Sequence, residues 1–521
     1  MIPLEVSLPP WSSLGKQSWA TAVIVLVTVM VWYKSVQNYR WNKKYKFPNR
    51  IPGVPIFGNT FQLPPINQGL WGNEKRMKYG EMFTCKFGVQ TWVFLNSSRV
   101  VKDLLEKRSA IYSSRPHLPM ASTLMSGSSR VLFMGYNDRW RAIRKVMHSI
   151  LNAKNAPTFA SFQDIESKHL LYDYLHSPDK WSLANQRYSN SVVMSVVFGK
   201  RQELDHPETK ELLETSADIL NAMQPGANIV DVLPFLEKLP TWLQWWRSRG
   251  LRDQEKCKRV YQREVAELKA RVEAGTARDC YALQFMKNPE SQKFGETQFL
   301  FSLGSLLEAG SDTSRVAITQ VLAAACVDPR WVKTAREQLD SVCGSNAERL
   351  PSVSDRAQLP YITAVTKESF RWKPPPQIGV PHMLTEDDEY EGYRFPKGTV
   401  FTWNAFGIIL NEEEYDEPLR FWPERFLNED LENVLKGHWG FGAGRRVCPG
   451  YHVGESNVFI AIARLLYCFE FEAVEDQPID VFKTNWADHL GAPFAMKIKP
   501  RSPAHAALAE REGKVAAETK Y

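Results

Sequence analysis

The stretch Phe441-Gly442-Ala443-Gly444-Arg445-Arg446-Val447-Cys448-Pro449-Gly450 decides the fold. Its three glycines permit backbone angles and close approaches that a β-carbon would block. An apolar, helix-forming run follows from Tyr451 to Leu466, so Cys448 is predicted to lie at the N-terminus of a helix. Unpaired N–H groups and the helix dipole favour a thiolate there, and a thiolate can act as a nucleophile or as a metal ligand.

Two neighbours of Cys448 favour the metal ligand. Phe441 offers an aromatic face next to the sulfur, and Arg446 supplies a cation two residues before it. No second cysteine lies within C-x-x-C spacing, which argues against a zinc site or a redox dithiol. A structural loop around a buried free cysteine is the alternative interpretation.

Composition sets the broad class. The 521 residues are 44% apolar and 24% charged, as in globular proteins. The net charge of +7 comes without a basic, aromatic-interleaved tract, so nucleic acid is not an expected partner. The seven scattered cysteines indicate a reducing compartment without a disulfide framework. Residues 60–500 have mainly helical patterns, and strand-like pieces occur at 82–87, 91–95, 379–383 and 399–403 and again beyond Phe469. We therefore predict a mainly α fold with small β-sheets.

The pattern F-x-x-G-x-R-x-C-x-G resembles the haem-binding loop of the cytochrome P-450 family, in particular its membrane-bound fungal members of natural-product biosynthesis. Further motifs follow in family order: a proline-rich hinge at 47–59, Trp140-x-x-x-Arg144, Ala309-Gly310-Ser311-Asp312-Thr313-Ser314, Glu368-x-x-Arg371 and Pro423-Glu424-Arg425-Phe426. The resemblance spans residues 47–450 and implies the cytochrome P-450 fold.

The resemblance assigns roles to individual residues. Cys448 is the expected axial ligand of the haem iron. Thr313 is expected to hydrogen-bond dioxygen or its water, and Asp312 to relay protons. Glu368, Arg371 and Arg425 form the expected structural triad. The expected haem-binding residues are Trp140, Arg144, Ala309, Gly310, His382, Phe441, Arg446, Cys448 and Gly450.

The segment 309–314 lies within a helical run that extends from Thr297 to Val327. Glycine weakens a helix locally, and Ser and Thr hydroxyls compete for backbone carbonyls. From these residues we expect a widened turn that can hold a water molecule or dioxygen.

The reaction implied by the family is insertion of one oxygen atom of O2 into a hydrophobic small molecule, by hydroxylation, epoxidation or multistep oxidation, in secondary-metabolite biosynthesis. The implied cofactor is haem b. The chain has no G-x-G-x-x-G fingerprint, so electrons are expected from NADPH through a separate cytochrome P-450 reductase, with cytochrome b5 as a further partner. Lys436, Arg445, Arg141 and Lys145 are candidates for the reductase-binding face. The alternatives are a haem-thiolate isomerase or dehydratase that acts without O2, and a haem carrier or sensor.

The two ends of the chain carry further predictions. Trp19–Tyr33 is an uncharged run of fifteen residues followed by basic residues. It predicts a luminal segment at 1–18, a transmembrane anchor at 19–34 and a cytosolic catalytic domain on the endoplasmic reticulum membrane. A cleaved signal peptide is the alternative. A basic, proline-rich hinge at 35–60, the monooxygenase domain at 61–500 and a flexible tail at 501–521 complete the expected organisation.

Several segments are predicted to line a substrate cavity. They are residues 115–133, 225–246, 306–308, 377–380 and 489–493, and most of their side chains are apolar. Within them, residues 230–247 are unusually aromatic. This composition is typical either of a surface in a lipid interface or of ordinary core packing, and the segment also resembles the family's mobile substrate entrance.

Overall fold

A computed structural model describes residues 21, 25, 26, 28, 29, 32, 33, 36, 37, 39–203, 205–374, 376–481 and 491–521. Contacts divide the chain into two compact units. The smaller unit combines the described part of Met1–Pro48 with Glu386–Lys397, and the larger unit combines Asn49–Thr385 with Gly398–Tyr521.

The larger unit is mainly helical. Its α-helices are α1 Gln68–Tyr79, α2 Ser98–Val101, α3 Asp138–Leu151, α4 Ala160–His176, α5 Trp181–Phe198, α6 Pro207–Ala222, α7 Ile229–Val232, α8 Arg247–Glu273, α9 Tyr281–Lys287, α10 Glu296–Val327, α11 Arg330–Cys343, α12 Pro360–Trp372, α13 Ala405–Ile409, α14 Tyr451–Cys468 and α15 Pro503–Glu518. The strands of the chain are β1 Met82–Phe87, β2 Gln90–Leu95, β3 His382–Met383, β4 Asp388–Tyr390, β5 Tyr393–Phe395, β6 Val400–Trp403, β7 Phe469–Ala473 and β8 Met496–Pro500.

These strands form three small sheets. Strands β1, β2, β6 and β3 lie side by side in that order, and only the β2–β6 pair is parallel. Strand β7 pairs with β8, and β4 pairs with β5. The prediction of a mainly α fold with small sheets is confirmed, and the strand positions read from the sequence agree with the structure to within a few residues.

Helix α10 is the central element of the core. It is 32 residues long and packs against α5 on one side and against α14 and α8 on others. Leu303, Leu307, Ile318 and Val321 of this helix are 0–1% exposed. Because α14 begins directly after the cysteine loop and contacts α10, the core itself fixes the loop relative to segment 309–314.

The smaller unit is built on a short hairpin. Strands β4 and β5 pair antiparallel, and the Lys46 backbone N–H donates to the Arg394 carbonyl over 3.1 Å. The Tyr45 hydroxyl donates to Asp387 over 2.8 Å, and Phe47 contacts Phe395 with 5.7 Å between the ring centroids. The chain from Tyr45 to Phe47 is thereby fixed to the hairpin.

The predicted location, a single-pass placement in the endoplasmic reticulum membrane, is wrong. Within the described part of the chain, no helix combines the length and the apolar character needed to cross a bilayer. The uncharged run at 19–33 has fifteen residues, whereas a bilayer core requires about 20. The single-pass placement at 19–34 in the endoplasmic reticulum membrane is therefore not supported. The predicted luminal segment 1–18 and part of 19–34 lie outside the described residues.

The C-terminal segment also differs from its prediction as a flexible tail. Residues Pro503–Glu518 form helix α15, which packs along α4. Leu508 and Ala516 are 2% and 3% exposed, and the Ser502 hydroxyl accepts a hydrogen bond from the His505 N–H as the N-cap. Tyr521 donates or accepts a hydrogen bond with Ser195 over 2.8 Å. Small apolar residues at helical spacing bury one face of a segment whose composition looks polar.

Candidate active site

A mainly apolar cavity of about 310 Å³ lies between helix α10 and the cysteine loop. Most of the residues predicted to bind a cofactor or to act in catalysis line it. These are Trp140, Arg144, Ala309, Thr313, His382, Phe441, Arg446 and Cys448. Gly310, Asp312, Gly450, Glu368, Arg371 and Arg425 lie outside its lining. The cavity thus collects residues that stand more than 300 positions apart in the sequence.

The cysteine loop closes through backbone hydrogen bonds. The Cys448 N–H donates to the Phe441 carbonyl over 2.8 Å, and the Gly442 N–H donates to the Trp439 carbonyl over 3.0 Å. Gly444 has φ +58°, and a β-carbon there would stand 1.9 Å from the Leu105 carbonyl oxygen. Only glycine fits this approach. The loop therefore presents Cys448 to the cavity in one defined position.

Burial raises the pKa of the Cys448 thiol, whereas the Gly450 N–H and the positive charge of Arg144 act in the opposite direction. The helix N-terminus therefore does not stabilise a thiolate without further help. A bound metal ion deprotonates a coordinating thiol outright. This balance fits a metal ligand better than a free nucleophile, which needs a lowered pKa of its own.

Two arginines lie on the Cys448 side of the cavity. Arg446 donates to the Ser113 carbonyl over 2.7 Å and to the Met134 carbonyl over 2.6 Å, and its guanidinium lies 4.1 Å from the Trp140 ring centroid. Arg144 donates to the Val447 carbonyl. Carbonyls and an aromatic face hold both side chains in place, but these groups do not neutralise a positive charge.

Arg115 and His382 complete the same wall. Arg115 is 8% exposed and donates to the Leu132 carbonyl over 3.1 Å and to the Val380 carbonyl over 2.9 Å. His382 is fully buried, and its Nδ1 contacts the Tyr112 carbonyl over 2.8 Å. The His382 Nε2 atom has no hydrogen-bond partner in the described part of the chain. We call Arg115, Arg144, Arg446 and His382 the cation cluster.

The cation cluster fits the two carboxylates of a haem. None of its members forms an ion pair with a carboxylate of the described residues. Burial and mutual repulsion lower the pKa of Arg115 to about 9 and that of Arg446 to about 8, and they lower the pKa of His382 well below its usual value. An anionic group in the cavity removes this penalty. The donor set of one thiol, three guanidinium groups and one imidazole therefore matches haem held through its iron and its propionates.

Helix α10 presents a small residue and a hydroxyl to the cavity. Ala309 and Thr313 are exposed to it, and the Thr313 hydroxyl donates to the Ala309 carbonyl over 3.1 Å. The helix remains α-helical from Glu296 to Val327, so the expected widened turn is not found. The Thr313 hydroxyl bonds to a carbonyl of the preceding turn, and the α-helical hydrogen bonds of the backbone are kept. Gly310 faces the other way, because a β-carbon there would stand 2.5 Å from the Val193 side chain.

Asp312 lies behind Thr313 and away from the cavity lining. Its side chain is 2% exposed and pairs with Arg315, with 3.1 Å between Oδ1 and Nε. Both groups belong to the same helix face. The structure therefore places a carboxylate next to Thr313 in sequence, inside the protein and beside a cation.

Glu368, Arg371 and Arg425 come together as a separate buried group, which we call the Glu368 triad. Arg371 bonds both carboxylate oxygens of Glu368, over 2.6 and 2.7 Å, and the Arg425 Nε lies 3.4 Å from the same carboxylate. Glu368 also accepts from the Trp422 N–H over 2.8 Å. The triad ties helix α12 to the segment around Pro423–Phe426.

The predicted cavity walls are found in part. Arg115, Arg130, Val131 and Leu132 come from 115–133, Leu306 and Glu308 from 306–308, and Val380 from 377–380. Helix α6 contributes Ile219 and Leu220, and Met223 follows its last residue, whereas residues 225–246 do not line the cavity. Residues 489 and 490 lie outside the described residues. The sequence did not predict individual roles for Arg115, Arg130 and Glu308. Their one distinguishing feature in the sequence is a charged side chain within an apolar segment.

The aromatic segment 230–247 is divided between core and surface. Val230 and Trp246 are buried at 0% and 6% exposure, as core packing requires. Phe235, Trp242 and Trp245 are 55%, 82% and 71% exposed. Neither interpretation of this segment therefore holds for the whole of it.

Comparisons with known proteins show the family of the chain. The sequence model described as Cytochrome P450 matches residues 48–500. Similar curated proteins include cytochrome P450 monooxygenase fogE of Aspergillus ruber, at 32% identity over 95% of both chains. Cytochrome P450 monooxygenase verL of Clonostachys rogersoniana is 33% identical over 90% of both chains. Cytochrome P450 monooxygenase patI of Aspergillus clavatus is 34% identical over 88% of this chain and 89% of its own.

A solved structure shows the same fold. A zebra fish cytochrome P450, in a structure with abiraterone, superposes with a TM-score of 0.68 at 20% identity. The match covers 84% of this chain and all of the zebra fish chain.

Proposed function

Because this chain belongs to the cytochrome P450 family and is a haem-thiolate monooxygenase, we propose that it oxidises an apolar small molecule of fungal secondary metabolism within the cavity beneath helix α10. The single observation that carries this proposal is the cavity itself. It combines one thiol, an uncompensated cation cluster and a hydroxyl-bearing helix with walls that are mainly apolar. The relatives that support the biological setting are fungal monooxygenases.

The cofactor is haem b, and electrons come from NADPH through an external reductase. When bound to a thiolate, haem activates dioxygen so that one oxygen atom enters the substrate. In our proposal the Cys448 sulfur holds the iron. Arg144, Arg446, Arg115 and His382 bind the propionates, and Trp140 supports the Arg446 guanidinium from its ring face.

We assign proton handling to helix α10. The Thr313 hydroxyl faces the cavity and would be able to donate a hydrogen bond into it after leaving the Ala309 carbonyl, 3.1 Å away. Asp312 holds a carboxylate in the same turn, paired with Arg315. The apolar side chains of Leu306, Ala309 and Val458 line the same cavity and reduce the space open to water there.

The side chains of four basic residues are exposed, namely Arg141, Lys145, Lys436 and Arg445. We propose this basic group as the surface that binds the reductase, and cytochrome b5 as a second electron donor at the same surface. Basic groups steer an acidic partner mainly through the association rate, which falls with ionic strength.

The experiment that tests the proposal measures product formation by the haem-loaded enzyme with and without reductase and NADPH. Thr313→Ala removes the hydroxyl, and Thr313→Ser is the matched control that keeps it. We expect turnover only with both electron sources, and the Ala variant should consume NADPH while yielding less product per NADPH than the wild type and the Ser variant. Full turnover without electrons would instead favour an isomerase or dehydratase, which the monooxygenase relatives do not favour.

A further inference from the structure

The cavity wall contains a buried ion pair that none of the assigned roles uses. Arg130 pairs with the Glu308 carboxylate of helix α10, and the two side chains are 1% and 9% exposed. The Tyr261 hydroxyl of helix α8 donates to the same carboxylate oxygen, Oε1. Gly304 allows this arrangement, because a β-carbon there would stand 2.2 Å from the Tyr261 ring. The fold therefore brings three polar side chains from separate segments to one point.

The rest of Arg130 is occupied within the protein. Its Nε donates to the Ser126 hydroxyl over 3.0 Å, and its Nη2 contacts the Cys257 sulfur over 3.5 Å. Its guanidinium lies 5.2 Å from the Phe301 ring centroid. Arg130 is therefore fixed in place with its guanidinium beside the Glu308 carboxylate.

One carboxylate oxygen of Glu308 keeps its capacity to accept a hydrogen bond. Both of its internal partners bind Oε1, and its Oε2 accepts no hydrogen bond from the part of the chain that the structure describes. Glu308 lines the cavity between Leu306 and Ala309. A carboxylate with remaining acceptor capacity at Oε2 thus belongs to the lining of a mainly apolar cavity.

Ser305, a polar neighbour of Glu308 that also lines the cavity, is already paired. The Ser305 hydroxyl donates to the Phe301 carbonyl over 2.6 Å and accepts from the Val131 N–H over 3.3 Å. Arg130 neutralises the charge of Glu308, so a cationic partner would leave a net positive charge in the wall. A neutral donor satisfies Oε2 without that cost, and a hydroxyl is the simplest such donor.

We propose that Glu308 is the residue that selects and orients the substrate, by accepting a hydrogen bond from a hydroxyl group on an otherwise apolar molecule. Arg130 and Tyr261 act as positioning residues for it. This inference rests on the proposed function, and it narrows the substrate class to alcohols or phenols. Glu308 precedes Thr313 by five residues, or roughly 7–8 Å along the helix axis, so the anchored hydroxyl is several bonds from the carbon nearest Thr313.

The test compares two probes that differ only in the hydroxyl, 1-naphthol and naphthalene. Equilibrium dialysis and the haem difference spectrum give their dissociation constants on the haem-loaded enzyme. A hydrogen bond to a charged acceptor predicts that the wild type binds 1-naphthol at least about tenfold more tightly than naphthalene. The double variant Arg130→Met/Glu308→Leu replaces the pair with apolar residues and should bring the ratio of the two constants to within about threefold of unity.

Two further variants keep the test decisive. Ser305→Ala is the matched control, because its hydroxyl is already paired, and it should keep the wild-type ratio. Glu308→Gln retains an acceptor oxygen without the charge, so it should lower the ratio by roughly threefold to tenfold even if the double variant fails to assemble with haem.

Each contradicting outcome points to one of the two proposals. Equal affinities in the wild type, or an unchanged ratio in the double variant and in Glu308→Gln, would overturn the role of Glu308 alone. Failure of both probes to bind the haem-loaded wild type would overturn the proposed apolar substrate site, and the role of Glu308 with it.

Discussion

Two groups of largely buried arginines differ in whether the chain itself supplies their counter-charge. In the Glu368 triad, Arg371 and Arg425 share the carboxylate of Glu368. In the cation cluster, Arg115, Arg144 and Arg446 meet only carbonyls and an aromatic ring in the described part of the chain. Both groups thus contain arginines whose side chains are largely buried.

The difference separates what the protein needs in order to fold from what it needs in order to bind its cofactor. The triad is complete without any ligand, so its energy contributes to the stability of the polypeptide. The cation cluster is costly until an anion arrives, as the pKa values of about 9 for Arg115 and about 8 for Arg446 indicate. Removing a charge should therefore have opposite consequences in the two groups.

The largest effect is expected from Glu368→Ala. The change leaves Arg371, which is fully buried, without its carboxylate, and a stranded buried charge costs about 3–5 kcal/mol. We expect a matching loss in the free energy of unfolding in urea, together with a low haem content after expression.

The control for this change is Glu417→Ala, which breaks an exposed pair with Arg420. Its expected cost is at most about 1 kcal/mol, because solvent screens exposed ion pairs. A Glu368→Ala protein with normal haem content and stability would contradict the structural role of the triad.

The next effect is expected from Arg144→Met in the cation cluster. The variant removes one of the donors that we propose for the haem propionates, which predicts haem retention about 10- to 100-fold weaker in transfer to an acceptor protein. The haem-free protein should lose no more than about 1 kcal/mol, because the change also relieves repulsion with neighbouring arginines. If the haem-free Arg144→Met protein lost much stability while its haem retention stayed unchanged, the proposed difference between the cation cluster and the Glu368 triad would be contradicted.

Lys367 provides the smallest and most selective test. It is 1% exposed and donates to the Asp430 carbonyl over 2.6 Å and to the Asn433 carbonyl over 2.9 Å. Burial lowers its pKa to about 8 from 10.5. Between these values the unfolded chain binds more protons than the folded one, so this group makes stability rise with pH through that window.

We expect the wild type to gain about 1–3 kcal/mol over Lys367→Met between pH 8 and pH 10.5, because the methionine variant lacks this titration. Urea unfolding of both proteins across that range measures the difference. Parallel pH profiles would show that the carbonyls alone compensate the buried cation.

Elements that depend on neighbouring residues could be predicted from the sequence, whereas contacts between distant residues could not. The cysteine loop and helix α14 were predictable because glycine, proline and helical periodicity act over a few neighbouring residues. Strands β1, β2 and β6 were predictable for the same reason. The Glu368 triad and the haem-binding roles came from the family resemblance, since no local rule connects Glu368 with Arg425.

The failures are equally physical. The run at 19–33 has the polarity of an anchor but not its length. Helix α15 looked like a flexible tail because three of its buried residues, Ala509, Gly513 and Ala516, are small. Segment 309–314 has residues that weaken a helix, yet packing of α10 along its whole length keeps it regular. Arg115 and Glu308 acquire their roles only through the folded cavity.

The central claim is that Cys448 holds the haem iron, and the spectrum of the reduced, carbon monoxide-bound holoprotein tests it most directly. We predict a thiolate-type Soret band in the wild type and its loss in Cys448→Ala. Cys257→Ala serves as a control, because that buried cysteine lies outside the cavity lining, and it should keep the band. A wild type without this band, or a Cys448→Ala protein that retains it, would contradict the account.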